Sequence, residues 1–168
     1  PSGKLPITIP YSVGHAQAIY NHKPTAYNTK RYADAPTRNL FEFGYGLSYS
    51  TFSYAKPQIT EARIKPNGHT EVSVEVRNTG QRAGDEVVQL YIRDNISQVT
   101  RPVKELKGFR RIHLEAGQSK VVSFEIKPDM LAYYDLAMNW RVEPGDFTLM
   151  LGSSSRDKDL KKVQLTVE

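Results

Sequence analysis

Glu71-Val72-Ser73-Val74-Glu75-Val76-Arg77 alternates without a break. Val72, Val74 and Val76 point one way; Glu71, Ser73, Glu75 and Arg77 point the other. A period of two places successive side chains on opposite faces of an extended strand. The stiff χ1 of valine costs little on a pleated surface. One apolar face and one charged face describe a half-buried strand of an antiparallel sheet.

The same texture continues toward the C-terminus. Val88, Leu90 and Ile92 share a face opposed by Tyr91, and Val122, Phe124 and Ile126 share one opposed by Val121, Ser123 and Glu125. Phe147, Leu149 and Leu151 form another inward set, and Val163, Leu165 and Val167 alternate again. Turn signals separate the runs: Pro66-Asn67-Gly68, Asn78-Thr79-Gly80, Ala116-Gly117 and Glu143-Pro144-Gly145. A short helical turn is expected from Pro128-Asp129. Short alternating runs between such turns predict an all-β antiparallel sandwich over residues 55–168. Each large inward side chain contributes about 1.5–3 kcal/mol, enough in sum to hold a domain without covalent staples.

Residues 1–54 read differently. They hold most of the aromatics, including Tyr11, Tyr20, Tyr27, Tyr32, Phe43, Tyr45 and Tyr49, and only Lys4–Ile9 reads as a short strand. No period of 2 or 3.6 is sustained up to Leu40. A long structureless stretch is uncommon in a compact domain. The expectation is an arm whose aromatics pack on protein outside this chain, since they would otherwise form an exposed apolar patch.

Composition sets outer bounds. The chain has 168 residues, 39% hydrophobic and 24% charged, and no cysteine. A packed core is expected, and disulfides and thiolate metal sites are excluded. No apolar run approaches the roughly 18 residues of a membrane-spanning helix, so no membrane partner is expected. The chain opens on Pro1 without an apolar leader, so it is expected to be a processed or truncated product with any export signal out of view. The formal charge is +5. Arg101, Lys104, Lys107, Arg110 and Arg111 are the nearest thing to a basic patch, but strand alternation would split them between faces. They are read as a solvated face, and no nucleic-acid partner is expected.

A search for chemistry returns little. Asp34, Glu42, Glu61, Asp85, Glu86 and Asp135 are expected in turns, links or solvent-facing strand positions, without the burial or like-charged neighbour that would raise an acid's pKa. The spacing of His15, His22, His69 and His113 fits no common zinc motif. Gly44-Tyr45-Gly46 lacks the third glycine and following helix of a dinucleotide loop. Asn95-Ile96-Ser97 fits a glycosylation sequon. No catalytic residue, metal or cofactor is assigned. Tyr27, Arg31 and Tyr32 are candidates to edge a sugar pocket, because a tyrosine pairs an apolar body with a polar tip. Trp140 is read as a sandwich edge or core residue, with a sugar platform as its rival reading.

Several stretches, in order and spacing, resemble the C-terminal region of family 3 glycoside hydrolases of the periplasmic β-glucosidase type. Ser2-Gly3-Lys4-Leu5-Pro6-Ile7-Thr8, with Ser12-Val13-Gly14, is similar to the close of that family's α/β sandwich domain. Phe43-Gly44-Tyr45-Gly46-Leu47-Ser48-Tyr49, with Thr51-Phe52, is similar to its link. Asn78-Thr79-Gly80, Glu86–Tyr91, Arg101–Phe109, Tyr133-Tyr134-Asp135 and Val142-Glu143-Pro144-Gly145 match the body of its last domain. Glu42 departs from the family's usual proline, and His15 and Gln17 replace a common glutamine and proline.

The resemblance implies an immunoglobulin-type, fibronectin type III-like β-sandwich at 55–168. It implies that the irregular arm, 1–54, is the C-terminal tail of an α/β sandwich domain plus linker. Phe43, Tyr45, Leu47, Tyr49 and Phe52 are then expected to pack between domains. The implied parent removes terminal non-reducing β-D-glucosyl or related residues with retention, using a nucleophile and an acid/base about 5–5.5 Å apart. Both lie in preceding domains of the family, so no catalytic residue carries over and this stretch is expected to be structural. Its expected partners are those catalytic domains, with oligosaccharide only through the parent and a homodimer left open. The resemblance implies a bacterial parent in a periplasmic or secreted location. A stand-alone carbohydrate-binding module, using Trp140, Tyr133, Tyr134 or Tyr91, and a partner-binding sandwich remain the alternatives.

Overall fold

The computed structural model describes residues 1–15, 18–24 and 39–168. The strands are β1 (Phe52–Tyr54), β2 (Gln58–Ile59), β3 (Arg63–Ile64), β4 (Thr70–Asn78), β5 (Gly84–Asp94), β6 (Glu105–Leu114) and β7 (Ser119–Ile126). A single helical turn, α1 (Pro128–Leu131), precedes β8 (Tyr133–Tyr134), β9 (Trp140–Arg141), β10 (Gly145–Gly152) and β11 (Leu160–Val167).

Among the described residues these strands form two facing sheets and one hairpin. In the first sheet β4 is central, with β7 along one edge and β1 and β2 in succession along the other. The second runs β3-β11-β10-β5-β6, antiparallel except for the short β3–β11 pair. The chain crosses between sheets from β6 to β7 through the Gly117 turn. β8 and β9 form a two-stranded ribbon over one end.

The core lies between the sheets. Val72 and Val74 of β4 lie opposite Phe124 and Val122 of β7, and Val76 and Ile126 extend the same apolar face at either end. Val88, Leu90 and Ile92, Phe147, Leu149 and Leu151, and Leu165 and Val167 close the core from the other sheet. All are buried, which matches the inward sets read from alternation. α1 starts on Pro128, whose fixed φ suits a first helical position, and inserts Leu131 as a plug. In β6, Lys107 is the extra residue of a bulge, because Leu90 pairs with Gly108 and Tyr91 with Leu106.

Lys4–Ile9 is not the expected strand. Its pairing is limited to a bridge from Ile9 to Phe41 and bonds linking Leu5 to Tyr45 and Gly44. Pro6 has no N–H to give to a ladder, and Pro10 ends the run.

Candidate functional site

β5 and β10 are buried on both faces. Val88, Leu90 and Ile92 point into the sandwich; Gln89 and Tyr91 point out, yet both are sealed from solvent. What covers them is the arm. Tyr91, Met150 and Leu160 form a second apolar cluster on the outer face of the five-stranded sheet, packed against Tyr20, Phe43 and Leu106. Tyr20 stacks on Phe43 with centroids 4.2 Å apart and meets Tyr91 edge-on at 5.9 Å. Such pairs add about 0.5–1.5 kcal/mol beyond their buried area.

Backbone and polar bonds fix the arm in place. The Leu106 N–H donates to the Tyr20 hydroxyl at 3.2 Å, Val103 N–H to the His22 carbonyl at 3.0 Å, and Ser155 N–H to the Phe43 carbonyl at 3.0 Å. Gln89 Nε2 donates to the carbonyls of Gly44 at 3.0 Å and Ser153 at 2.8 Å, while the Tyr91 hydroxyl donates to Gln89 Oε1. Burial pushes the Tyr91 phenol well above its ordinary range, with the neighbouring Tyr20 adding to the shift. Gly44 has a φ of 76°, and a Cβ there would lie 2.1 Å from Gln89 Oε1, so only glycine permits this approach.

Ion pairs rim the contact. Lys4 reaches Glu86 at 2.7 Å, both largely buried. Lys104, also buried, donates to the Ser155 carbonyl at 2.9 Å and to Asp157 Oδ1 at 2.8 Å. Burial disfavours the Asp157 charge, but the Lys104 bond and the charges of Lys104, Lys162 and Arg93 outweigh it and hold the carboxyl below its usual range. The Arg156 guanidinium pairs with Asp159 and sits 5.4 Å over the Tyr45 ring. Between arm and sheet runs an open groove of about 730 Å³, lined by Tyr20, His22, Glu42, Lys104, Arg156 and Lys162 among others.

Two polar clusters on the five-stranded sheet lie away from the groove. Asp85 accepts from Arg111 and contacts His113 Nδ1 at 2.6 Å on the exposed side of the sheet. The Arg111 bond and then the His113 bond lower the Asp85 pKa, and the Asp85 bond raises that of His113. At the far end of β5, Arg101 pairs with Glu105 at 2.8 Å and lies 4.9 Å over the Tyr133 ring. Burial and then the neighbouring Glu143 push the Tyr133 phenol up to about 12. Among the described residues no cluster of three His, Asp or Glu side chains could hold a metal ion, and no helix is long and apolar enough to cross a membrane.

The sheet-and-arm arrangement recurs in known enzymes. The chain superposes along all of its length on a β-glucosidase from Erythrobacter marinus, with a TM-score of 0.94 and 43% identity. Residues 86–155 match the model of the fibronectin type III-like domain. The chain matches the C-terminal portion of β-glucosidases and β-xylosidases, consistent with the C-terminal region of the family 3 glycoside hydrolases. This C-terminal region is also 45% identical to a β-xylosidase from Formosa agariphila across the whole chain, and 41% identical to a periplasmic β-glucosidase from Salmonella typhimurium over 92% of it. It covers 24% of the first and 21% of the second, so the chain spans about a quarter or less of the curated relatives it matches.

The residues singled out in the sequence scatter across this region. Phe43 joins the outer cluster, Phe52 packs against the sandwich core, and Tyr45 stacks on Phe41 at 5.4 Å. Leu47 and Tyr49 are exposed. Tyr27, Arg31 and Tyr32 lie outside the described residues, as does Asp34. Glu86 is not solvent-facing as expected: β5 starts under the arm, and Lys4 compensates its burial. Asp135 is buried too, accepting the N–H groups of Ala137 and Asn139 at 2.9 Å each. Within the basic stretch, Arg101 and Lys104 are inward and paired, while Arg110 and Arg111 are exposed on opposite faces of β6, Arg110 over the edge of the core at Phe124 and Arg111 beside Asp85. Tyr91 and Tyr133 are buried, which leaves Tyr134 and Trp140 as the exposed members of the aromatic set.

Proposed function

We propose that this chain is the architectural, non-catalytic end of a β-glucosidase- or β-xylosidase-type hydrolase that releases terminal β-glycosyl residues. In this reading residues 1–54 are the tail of an α/β sandwich domain plus linker, and 55–168 are the fibronectin type III-like domain. The observation that carries it is coverage: 92–100% of the chain aligns with only 21–24% of each relative, at over 40% identity. The chemistry agrees. The described carboxylates of the outer face are engaged, Glu86 by Lys4, Asp157 by Lys104 and Asp159 by Arg156. A retaining pair needs instead two carboxyls about 5–5.5 Å apart with one held protonated.

The arm then works as a strap. It fastens the preceding domain to the five-stranded sheet through Phe43, Gly44 and Tyr45, while exposed Leu47 and Tyr49 turn toward that domain. Tyr27, Arg31 and Tyr32 are proposed to edge the parent's sugar pocket. A periplasmic or secreted location is supported by the name of the Salmonella relative. The test compares this chain with the product of its complete reading frame on nitrophenyl β-glucoside and β-xyloside. Turnover is expected from the complete product and none from the chain. Turnover by the chain alone, abolished by one carboxylate substitution within it, would refute the reading.

A further inference from the structure

The β8–β9 ribbon carries aromatic surface that the strap does not use. Its inner face holds Tyr133, clamped under Arg101. On its outer face Tyr134 and Trp140 pair directly across the strands, 55% and 54% exposed, with ring centroids 5.0 Å apart and planes tilted by 57°. The turn between them is rigidly made. Asp135 Oδ1 accepts the N–H groups of Ala137 and Asn139, Met138 N–H donates to the Asp135 carbonyl at 3.0 Å, and Met138 holds a φ of 62°. The side chains are therefore presented without further ordering, which removes part of the entropy cost of binding.

We propose that Tyr134 and Trp140 form a surface site for a β-linked pyranose oligosaccharide. The inference rests on the glycosidase reading above. The tilted rings make a shallow V in which one aromatic face lies under a sugar ring and the other abuts its edge. The Tyr134 hydroxyl and the Trp140 indole N–H are the polar tips of these rings and can serve as partners for sugar hydroxyls. Area favours a small ligand over a protein. Two half-exposed aromatic side chains offer roughly 200 Å² of ring surface. Even with exposed Leu136 and Met138 added, the ribbon stays well short of the ~800 Å² that each partner buries in a standard protein complex. The exposed residues of the strap, Leu47 and Tyr49, lie elsewhere: their chain neighbours Ser48 and Ser50 are beside Gly84 at the start of β5, and the ribbon sits by its end, where Arg101 meets both Asp94 and Tyr133. That is roughly 33 Å along the strand at about 3.3 Å per residue.

Trp140 is the chain's sole tryptophan, so its emission reports on this site alone. The chain is titrated with cellohexaose and with xylohexaose. A saturable change in Trp140 emission at millimolar sugar is expected for at least one of them. Calorimetry should then show at least tenfold weaker binding for both Trp140→Ala and Tyr134→Ala, and unchanged binding for Leu136→Ser. Emission that stays flat to about 10 mM of both sugars overturns the proposal. So does an emission shift that follows protein concentration without sugar and disappears in Leu136→Ser, which makes the ribbon a contact between copies. Neither result touches the glycosidase reading, which stands or falls on turnover by the complete reading frame.

Discussion

Gly44→Ala should unfasten the strap while leaving the sandwich folded. Two costs add at this position. The first is conformational: alanine at a φ of 76° costs about 1–2 kcal/mol. The second is steric, because the new Cβ would lie 2.1 Å from Gln89 Oε1 and 2.9 Å from the Tyr91 hydroxyl. Gln89 is buried and must swing away, which forfeits its bonds to Gly44 and Ser153 and the one it accepts from Tyr91. At about 0.5–1.5 kcal/mol each, those three bonds bring the steric part to ~1.5–4.5 kcal/mol. Gly117→Ala supplies the control. Gly117 has nearly the same φ, 77°, but nothing within 4 Å of its would-be Cβ, so it carries the conformational cost alone. Hydrogen exchange reads both variants. In Gly44→Ala the amides of Ser155, Leu106 and Val103, which donate to the arm, should lose protection by at least about thirtyfold, since 1.4 kcal/mol is tenfold. The amides of β4 and β7 should keep theirs. Equal losses at those three amides in Gly44→Ala and Gly117→Ala would refute the claim that the Gln89 contact holds the arm.

Two further outcomes follow from the packing and the charges. Phe124→Ala removes a buried ring between the sheets, beside Gly108 and under Arg110, and should cost about 3–5 kcal/mol in a denaturant titration; a loss below about 1 kcal/mol would show that the ring is not a core element. His113 should titrate above the ordinary histidine range in an NMR pH series, and Asp85→Asn should bring it back down. Because the folded His113 pKa is raised and that of Asp85 lowered, the pair's contribution to stability is full between the unfolded values of about 3.8 and about 6.5, and is lost as pH rises through the folded His113 value or falls through the folded Asp85 value. A His113 midpoint unmoved by Asp85→Asn would remove the pair from the account.

How far the sequence discloses this structure depends on where each contact partner sits. The β4 stripe was legible because its neighbours in the sheet carry the same period, so Val72, Val74 and Val76 need no knowledge of distant residues to face inward. Position of the outer cluster was half legible. Leu90-Tyr91-Ile92 and Leu149-Met150-Leu151 break strict alternation with an apolar residue on the outward face, and that is the sign of a strand covered on both sides. What covers it could not be read. Tyr20 and Phe43 lie on a stretch without a period, and their partners Tyr91 and Met150 are far along the chain. Lys4 and Glu86 are equally remote from each other, so the burial of Glu86 had no local signal.

The strap also changes what a domain boundary means in this chain. Texture divides it near residue 54, where the aromatic arm gives way to alternating strands. Packing crosses that line: Phe52 reaches the inner core, Phe43 seals the outer face of β5 and β10, and Gly44 is bonded to Gln89. A cut at the line of texture would bare Tyr91, Met150 and Leu160, three large side chains worth about 1.5–3 kcal/mol each when buried. The fibronectin type III-like sandwich is thus built to be completed by the segment that tethers it.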